Sequence, residues 1–152
     1  MIDLVYLNGD NLTFEEFNSF VCDTENDFVP PLCSRINVHD FFFKLQNNAH
    51  FITCMHNDRI VGLIAFYCND FELRTSYVTF IAVLPEYRGN GIATVLLEKA
   101  SKIATEKGMN KMKIDTNNKI AYQCYLKNGF RLQETVYLSE YKLNRYFLEK
   151  EL

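Results

Sequence analysis

The segment most suited to binding a ligand is a glycine-containing turn between an apolar β-rich run and a helical pattern. It reads Arg88-Gly89-Asn90-Gly91-Ile92-Ala93. Two glycines let the backbone approach a ligand closely, and the unpaired amides at a helix N-terminus attract an anion. The turn lacks the Lys-Ser/Thr pair of a P-loop, and Val95 and Leu96 stand where a dinucleotide-binding fingerprint needs its third glycine. The pattern predicts a phosphate site of another kind, or more simply a turn that only starts a helix.

A second group of residues that could do chemistry consists of His50, Cys54 and His56. They are separated by even numbers of positions along one predicted strand and therefore share a face. A metal site or a Cys-His nucleophile needs a further ligand or an orienting acid, and the pattern supplies neither. We interpret the three as packing or surface residues and predict no metal site. The five cysteines are scattered, without a C-x-x-C pair, and are predicted to be reduced, mostly buried thiols.

Length and composition exclude several classes of protein. The chain has 152 residues, 48% of them hydrophobic and 23% charged, which predicts a single domain over residues 1–152 with a substantial core. No apolar run reaches the roughly 18 residues of a membrane span, and the first residues lack the pattern of a signal peptide. The net charge of −3 argues against nonspecific nucleic-acid binding. We expect a cytoplasmic protein, for which a homodimer is one option.

The order of apolar runs and turn residues predicts a mixed α/β fold. A short strand at 4–6 precedes two helices, the first opened by a capping box of Thr13 and Glu16 and the second starting at Asn37 or Val38. The run 77–83 is so apolar that we expect it to be buried on both faces. The other predicted elements are strands at 51–56, 60–68, 111–116, from 130 onward and 145–150, and helices from Gly91 to near Gly108 and at 119–127. The resulting order is β-α-α-β-β-β-α-β-α-β-β, with one right-handed crossover.

Two motifs within residues 77–130 resemble those of the GCN5-related N-acetyltransferase (GNAT) superfamily. Arg88, Gly91 and Ala93 match its signature Q/R-x-x-G-x-G/A. Asn118, Ala121 and Tyr125, followed by Gly129-Phe130, are similar to its second element, N-x-x-A-x-x-x-Y and then G-F. The resemblance implies a GNAT-like fold, with a mixed and mostly antiparallel sheet whose central strands, 77–83 and 111–116, splay apart.

The resemblance also implies acetyl-CoA as co-substrate. The amides of the glycine-containing turn would hold the pyrophosphate, and the edge of the preceding strand would pair with the amides of the pantetheine arm. A backbone amide near Ile81 or Ala82 would polarise the thioester carbonyl. The residues implied for cofactor binding are Ile81, Ala82, Val83, Arg88, Gly89, Asn90, Gly91, Ile92, Ala93 and Asn118.

Tyr125 matches the tyrosine that in many family members protonates the departing thiolate. A phenol with a pKa of about 10 can donate to a thiolate whose conjugate acid lies at about 8.5, provided that the two are within hydrogen-bond reach. Alternatively, Tyr125 only packs in the hydrophobic core, as part of the apolar face of the helix predicted at 119–127. Asn118 positions the cofactor, caps that helix, or does both.

The sequence leaves the general base open. Some family members place a glutamate on the strand matching 77–83, but this chain carries no carboxylate there. The remaining candidates are Asp23, Glu25, Asp27, Asp70, Glu72 and Asp115, each of which has a solvated loop charge as its simpler interpretation.

The function predicted from these observations is direct transfer of an acetyl group to an amine, without a covalent enzyme intermediate. Residues 1–87 carry a net charge of −8 and residues 88–152 carry +5, which suggests ligands of opposite sign or is an accident of the surface. We expect the loop 23–35, together with residues 70–74, to bind a cationic amine. Because Arg35 and Arg74 lie in these segments, the acceptor could also carry a carboxylate or phosphate. The predicted acceptor is a small molecule such as an amino sugar, amino acid or polyamine. The alternatives are a peptide or protein acceptor, a longer acyl donor, and a noncatalytic acyl-CoA-binding sensor module.

Overall fold

The helices and strands follow each other in the predicted order. The computed structural model describes residues 2–24, 28–32 and 36–152. Its elements are β1 (Val5–Asn8), α1 (Phe14–Thr24), α2 (Val38–Asn48), β2 (Ala49–His56), β3 (Arg59–Asp70), β4 (Thr75–Val83), a 3-10 turn (Pro85–Tyr87), α3 (Ile92–Glu106), β5 (Lys111–Thr116), α4 (Lys119–Lys127), β6 (Arg131–Leu138) and β7 (Leu143–Glu151).

Local side-chain chemistry fixes the starts of the first two helices. The Thr13 hydroxyl accepts from the Glu16 amide at 3.2 Å, and the Glu16 carboxylate accepts from the Thr13 amide at 3.0 Å, which is the predicted capping box. Asn37 caps α2 by accepting from the Asp40 amide at 3.1 Å. Both starts agree with the sequence prediction.

Within the described residues, the sheet has seven strands in the order β1-β2-β3-β4-β5-β7-β6. Of these strand pairs, only β4 and β5 are parallel, and they are joined through α3. Pairing between these two strands covers Thr75–Tyr77 and Lys111–Lys113 and ends there, whereas β5 pairs with β7 from Lys111 to Thr116. We call the divergence of β4 and β5 beyond Tyr77 and Lys113 the splay. The mixed sheet with splayed central strands is confirmed.

A bulge in β4 reverses the direction in which its side chains point. Val78 pairs with Phe66 and Phe80 pairs with the adjacent Ala65, so Thr79 is an extra residue and Val78 and Phe80 lie on opposite faces. On the first face, the Phe80 ring lies 5.8 Å from Phe17 of α1, between ring centroids.

The helices that follow β4 pack on the second face. A Cβ added to Gly62 would lie 2.6 Å from Ile92 of α3, so the two elements approach closely there. The Tyr122 ring of α4 stacks on Tyr146 of β7, with 4.1 Å between centroids. Helices α1 and α2 therefore cover the first face, and α3 and α4 cover the second.

The prediction that the run 77–83 is buried on both faces holds only for part of the run. Val78 and Phe80 are buried on opposite faces, but Thr79, Ile81 and Val83 are half-buried and Tyr77 is 38% exposed. The exposure accompanies the splay, since a strand that leaves its neighbour opens one flank to solvent. The strand predicted at 60–68 is two residues longer at its end, because β3 extends to Asp70.

Candidate functional site

The turn after β4 has the backbone conformation that its glycines predict. Gly89 has a φ of 81° and Gly91 a φ of 75°, a backbone region that residues with a Cβ rarely adopt. Gly91 is the N-cap of α3, and a Cβ built on either glycine would have no atom within 4 Å. The space in front of this turn is therefore open. We call residues 88–93 the glycine loop.

The amides of the glycine loop are available to a ligand. The first bond of α3 runs from the Val95 amide to the Gly91 carbonyl at 3.1 Å. Among the described residues, no side chain or carbonyl accepts from the amides of Gly89, Asn90, Gly91, Ile92 and Ala93. These five donors stand at the positive end of a helix of 15 residues. The arrangement can bind a phosphate or diphosphate.

Long-range contacts hold the turn that leads into the glycine loop. The hydroxyl of Tyr87 lies 2.6 Å from Nδ1 of His56, and the Tyr87 carbonyl accepts from the Asn90 side chain at 2.9 Å. Arg59 donates to Glu86 at 3.1 Å. From the sequence, His56 is expected to be a packing or surface residue, because no local signal pairs it with a tyrosine 31 residues away.

Ile81, Ala82 and Val83 occupy the part of β4 that lies beyond its pairing with β5. On their other side they pair with Ile64, Leu63 and Gly62 of β3. The edge of β4 that faces the splay can therefore accept an extended ligand as an added strand. This edge leads directly to the glycine loop, where Arg88 donates to the Val83 carbonyl at 3.2 Å.

Tyr125 of α4 is buried, with 5% of its surface exposed, and its ring lies 6.0 Å from Phe130. Burial raises the pKa of its phenol above the ordinary range, and negative charge at Cys124 and Asp115 raises it further. The hydroxyl therefore stays protonated at neutral pH and can act only as a proton donor there.

Asn118 is the N-cap of α4. Its side-chain oxygen accepts from the amides of Ile120 and Ala121 at 2.9 and 3.0 Å. A second asparagine, which sequence reasoning missed, ties this helix to α3: the Asn128 side chain donates to the Thr94 hydroxyl at 3.2 Å and to the Cys124 carbonyl at 2.8 Å. The start of α3 and the end of α4 are thereby held together.

The candidate bases lie in different surroundings. Asp115 has a side chain that is only 10% exposed, and both of its oxygens are engaged. The Tyr77 hydroxyl donates to one oxygen at 2.6 Å, and the Arg145 guanidinium donates to the other. Asp23 lies 3.8 Å from Arg59, and Asp70 accepts from the Leu73 amide within its own turn. Glu25 and Asp27 lie outside the described residues.

The described part of the expected acceptor loop reaches the splay. Phe28 stacks on Phe80 with 5.4 Å between ring centroids, and the Asn117 side chain donates to the Val29 carbonyl at 2.8 Å. Cys33 and Arg35 lie outside the described residues. The turn at 70–74 stands at the opposite end of β4 from the glycine loop, where Arg74 binds the Gly108 carbonyl at 2.8 Å. The structure does not bring this turn to the splay.

Among the described residues, no group of three or more His, Cys, Asp or Glu side chains is arranged to hold a metal ion. None of their helices combines the length and apolar character needed to cross a membrane.

Comparison with known proteins identifies one family. The profile of the acetyltransferase (GNAT) family matches residues 15–130. An N-acetyltransferase of Methanocaldococcus jannaschii, described as uncharacterized, is 34% identical over 92 residues, which cover 57% of this chain but 41% of that relative. N-alpha-acetyltransferase 30 of Schizosaccharomyces pombe is 31% identical over 113 residues, covering 70% of this chain and 72% of the relative.

Solved structures share the fold at low identity. The PaiA N-acetyltransferase of Thermoplasma acidophilum, solved with coenzyme A, has a TM-score of 0.72 at 16% identity and covers 99% of this chain and 100% of its own. The NatC complex bound to Gag peptide and CoA contains a chain with a TM-score of 0.81 at 20% identity, covering 99% of both chains.

Proposed function

Because the chain belongs to the acetyltransferase (GNAT) family, we propose that it transfers the acetyl group of acetyl-CoA to the nitrogen of an amine. The observation that carries the proposal is the row of five amides in the glycine loop, without acceptors among the described residues, beside the splay. A diphosphate fits these donors, and the open edge of β4 suits an extended amide-bearing arm. Acetyl-CoA supplies an acetyl group activated as a thioester.

In this proposal the backbone does most of the binding. The amides of Gly89 to Ala93 and the side chain of Arg88 hold the diphosphate, and residues Ile81 to Val83 pair with the arm. A backbone amide near Ile81 or Ala82 donates to the thioester carbonyl and stabilises the negative charge that develops there. This contribution needs a fixed backbone geometry rather than a particular side chain.

We assign Tyr125 the role of proton donor to the departing sulfur. Its phenol is protonated throughout the physiological range, as an ordinary tyrosine is, and burial raises its pKa further. Asn118 contributes by fixing the start of α4, the helix that carries Tyr125. Asp115 is a poor candidate for the base, because both of its carboxylate oxygens are already bound.

The acceptor that we propose first is a small cationic amine, and we place it on the first face, where Phe28 and Val29 border the splay. The acidic balance of residues 1–87 supports a cation. The second candidate is the α-amine of a peptide, which is favoured by the similarity to N-alpha-acetyltransferase 30. The proposed location is the cytoplasm, supported by the free thiols of the four described cysteines.

The test is an acceptor panel read out as free thiol. Purified protein and acetyl-CoA are incubated with polyamines, amino sugars, amino acids and short peptides with free N-termini, and each acceptor is analysed by mass spectrometry. We expect thiol release above the acceptor-free rate together with acetylation of the acceptor. Tight binding of acetyl-CoA without thiol release for any amine would instead support a noncatalytic sensor.

A further inference from the structure

The chain segment at Phe28 and Val29 is fastened to both sides of the splay. On one side, the Phe28 ring stacks on Phe80 of β4, with 5.4 Å between ring centroids and 24° between ring planes. On the other side, the Asn117 side chain donates to the Val29 carbonyl at 2.8 Å, and Asn117 directly follows β5. We call residues 28 and 29 the bridge. The bridge therefore crosses the first face from one splayed strand to the other.

The bridge crosses the splay at the level where the thioester is expected to react. Tyr77 pairs with Lys113, and continuing this register by four residues on each strand sets Ile81 across from Asn117. The extra residue of the β4 bulge shifts the match toward Ala82. Ile81 and Ala82 are the two residues whose backbone amides are proposed to bind the thioester carbonyl. In register, Asn117 therefore lies opposite the proposed reaction centre.

The two ends of the bridge are held by different chemistry. The Phe80 ring is 3% exposed and also contacts two phenylalanines of α1, so the Phe28 end is anchored in the core. The other end depends on the backbone carbonyl of Val29, which any residue type provides, and on the amide group of one half-buried side chain. Val29 itself is 40% exposed. The identity of residue 117 thus decides whether this end is held.

Asn117 acts on a different partner from the neighbouring helix cap. The Asn118 side chain accepts from the amides of Ile120 and Ala121 and so acts on α4. The Asn117 side chain donates to a residue 88 positions earlier in the chain. A change at residue 117 should therefore release the bridge without removing the cap of the helix that carries Tyr125.

We propose that Asn117 is a positioning residue for the acceptor: by holding the Val29 end of the bridge, it fixes the first-face wall along which the amine approaches the thioester. The inference rests on the proposed function. Acetyl-CoA is expected to bind through the glycine loop and the edge of β4 at 81–83, which include neither Asn117 nor the bridge. Loss of this hydrogen bond should therefore weaken acceptor binding and leave acetyl-CoA affinity and the chemical step nearly unchanged.

The test is initial-rate kinetics with an amine found in the acceptor panel, at saturating acetyl-CoA, with acetyl-CoA affinity measured separately by calorimetry. Asn117→Ala removes the side chain, Asn117→Leu keeps its approximate size without a donor, and Asn117→Gln keeps an amide donor. Asn48→Ala is the matched control. The Asn48 side chain also donates to a backbone carbonyl, that of Lys44 at 3.0 Å, but it lies at the end of α2 rather than beside the splay.

We expect Asn117→Ala and Asn117→Leu to raise the KM for the acceptor by about two- to tenfold, the range that corresponds to one hydrogen bond. The kcat and the Kd of acetyl-CoA should stay within about twofold of the wild type. Asn117→Gln should recover part of the loss, and Asn48→Ala should behave like the wild type. Melting temperatures identify a variant that has not folded, in which case the other variants at residue 117 decide.

A double-mutant cycle tests whether the two contacts hold one segment. Phe28→Leu removes the stacked ring and should also raise the KM for the acceptor by about two- to tenfold. Because both changes release the bridge, the double variant Phe28→Leu/Asn117→Ala should raise this KM by less than the product of the two single effects. A double variant that reaches the full product would show that Asn117 affects the acceptor by another route, and would overturn the inference.

Two further results would also overturn it. The first is an unchanged acceptor KM in folded Asn117→Ala and Asn117→Leu. The second is a fall in kcat at unchanged KM, which would mean that residue 117 acts on α4 and Tyr125 instead. Acetyl transfer by the wild type leaves the proposed function intact in each of these cases. A wild type that transfers acetyl to none of the amines removes the proposed function, and the inference with it.

Discussion

At the scale of single residues, Gly91 combines two features that the proposed site needs. Its positive φ starts α3, and the absence of a Cβ leaves the space in front of the loop amides open. A glutamate there adds strain, bulk and a negative charge at the position where a diphosphate is expected to bind.

We predict that Gly91→Glu weakens acetyl-CoA binding by at least about 100-fold, or about 2.7 kcal/mol, measured by calorimetry. The matched control is Gly108→Glu, because Gly108 has a φ of 89°, also has open space around it, and lies beyond the other end of α3. The control should carry the same backbone strain and bind acetyl-CoA like the wild type. Equal affinities for Gly91→Glu and the wild type would show that the glycine loop does not bind the diphosphate.

Tyr125 carries the second residue-scale prediction. Tyr125→Phe should lower kcat by roughly 100-fold, because a positioned general acid contributes about 10²- to 10⁴-fold, and should leave acetyl-CoA affinity nearly unchanged. Tyr122→Phe, a change on the same helix at a ring stacked on Tyr146, is the control. Wild-type turnover in Tyr125→Phe under single-turnover conditions would remove this residue from the mechanism. Because its pKa is raised, Tyr125 should cause no loss of kcat as the pH increases from 7 to 9.

At the scale of elements, the glycine loop depends on a hairpin that is distant in sequence. The turn between β2 and β3 bends tightly, with positive φ at Asn57 and Asp58, and so presents His56 and Arg59 on either side. These two residues contact Tyr87 and Glu86, the residues that directly precede the loop. The hairpin therefore acts as a support that fixes the position of the loop amides.

We predict that Tyr87→Phe raises the KM for acetyl-CoA by about two- to tenfold with little change in kcat, the range that corresponds to one hydrogen bond. His56→Ala should have the same effect, and His56→Gln should restore part of the affinity because it keeps a polar group on that side chain. The measurement is initial-rate kinetics at saturating acceptor. A fall in kcat at unchanged KM would indicate that the hairpin acts on the chemical step instead.

At the scale of the whole molecule, burial of groups that ionise at high pH ties stability to pH. Burial and the neighbouring Cys54 raise the pKa of Tyr6 to about 12, and burial raises the pKa of the Cys54, Cys68 and Cys124 thiols. Above a pH of about 8.5, where an exposed thiol ionises, the unfolded chain therefore releases protons that the folded chain retains. Since the unfolded state then binds fewer protons, the free energy of unfolding falls as pH rises.

We predict a melting temperature that falls steadily from pH 8 to pH 11, measured by calorimetry in buffers of matched ionic strength. Tyr6→Phe should reduce the fall above a pH of about 10, where an exposed phenol begins to ionise, and leave the lower part of the curve unchanged. A melting temperature that rises or stays constant over this range would contradict the burial of these groups.

The sequence by itself determined the features whose atoms lie within a few residues of one another. The capping box at Thr13, the cap at Asn118 and the open amides before α3 each depend on hydrogen bonds spanning two to four residues, or on the lack of them. Residue type and spacing are enough to predict such features. The order of the elements followed from the same local patterns of apolar and turn residues.

Only the tertiary structure decided which distant residues meet. The bulge at Thr79 depends on the register between β3 and β4, and the hydrogen bond from Tyr77 to Asp115 depends on the point at which β4 and β5 separate. The partners of Asp115 lie 38 and 30 residues away from it in sequence. The two pairs that support the glycine loop, His56 with Tyr87 and Arg59 with Glu86, are 31 and 27 residues apart. Such contacts arise because strand pairing brings together side chains that are distant in sequence, and the residues next to each side chain do not indicate its partner. In this protein, these contacts shape the splay and support the glycine loop beside it.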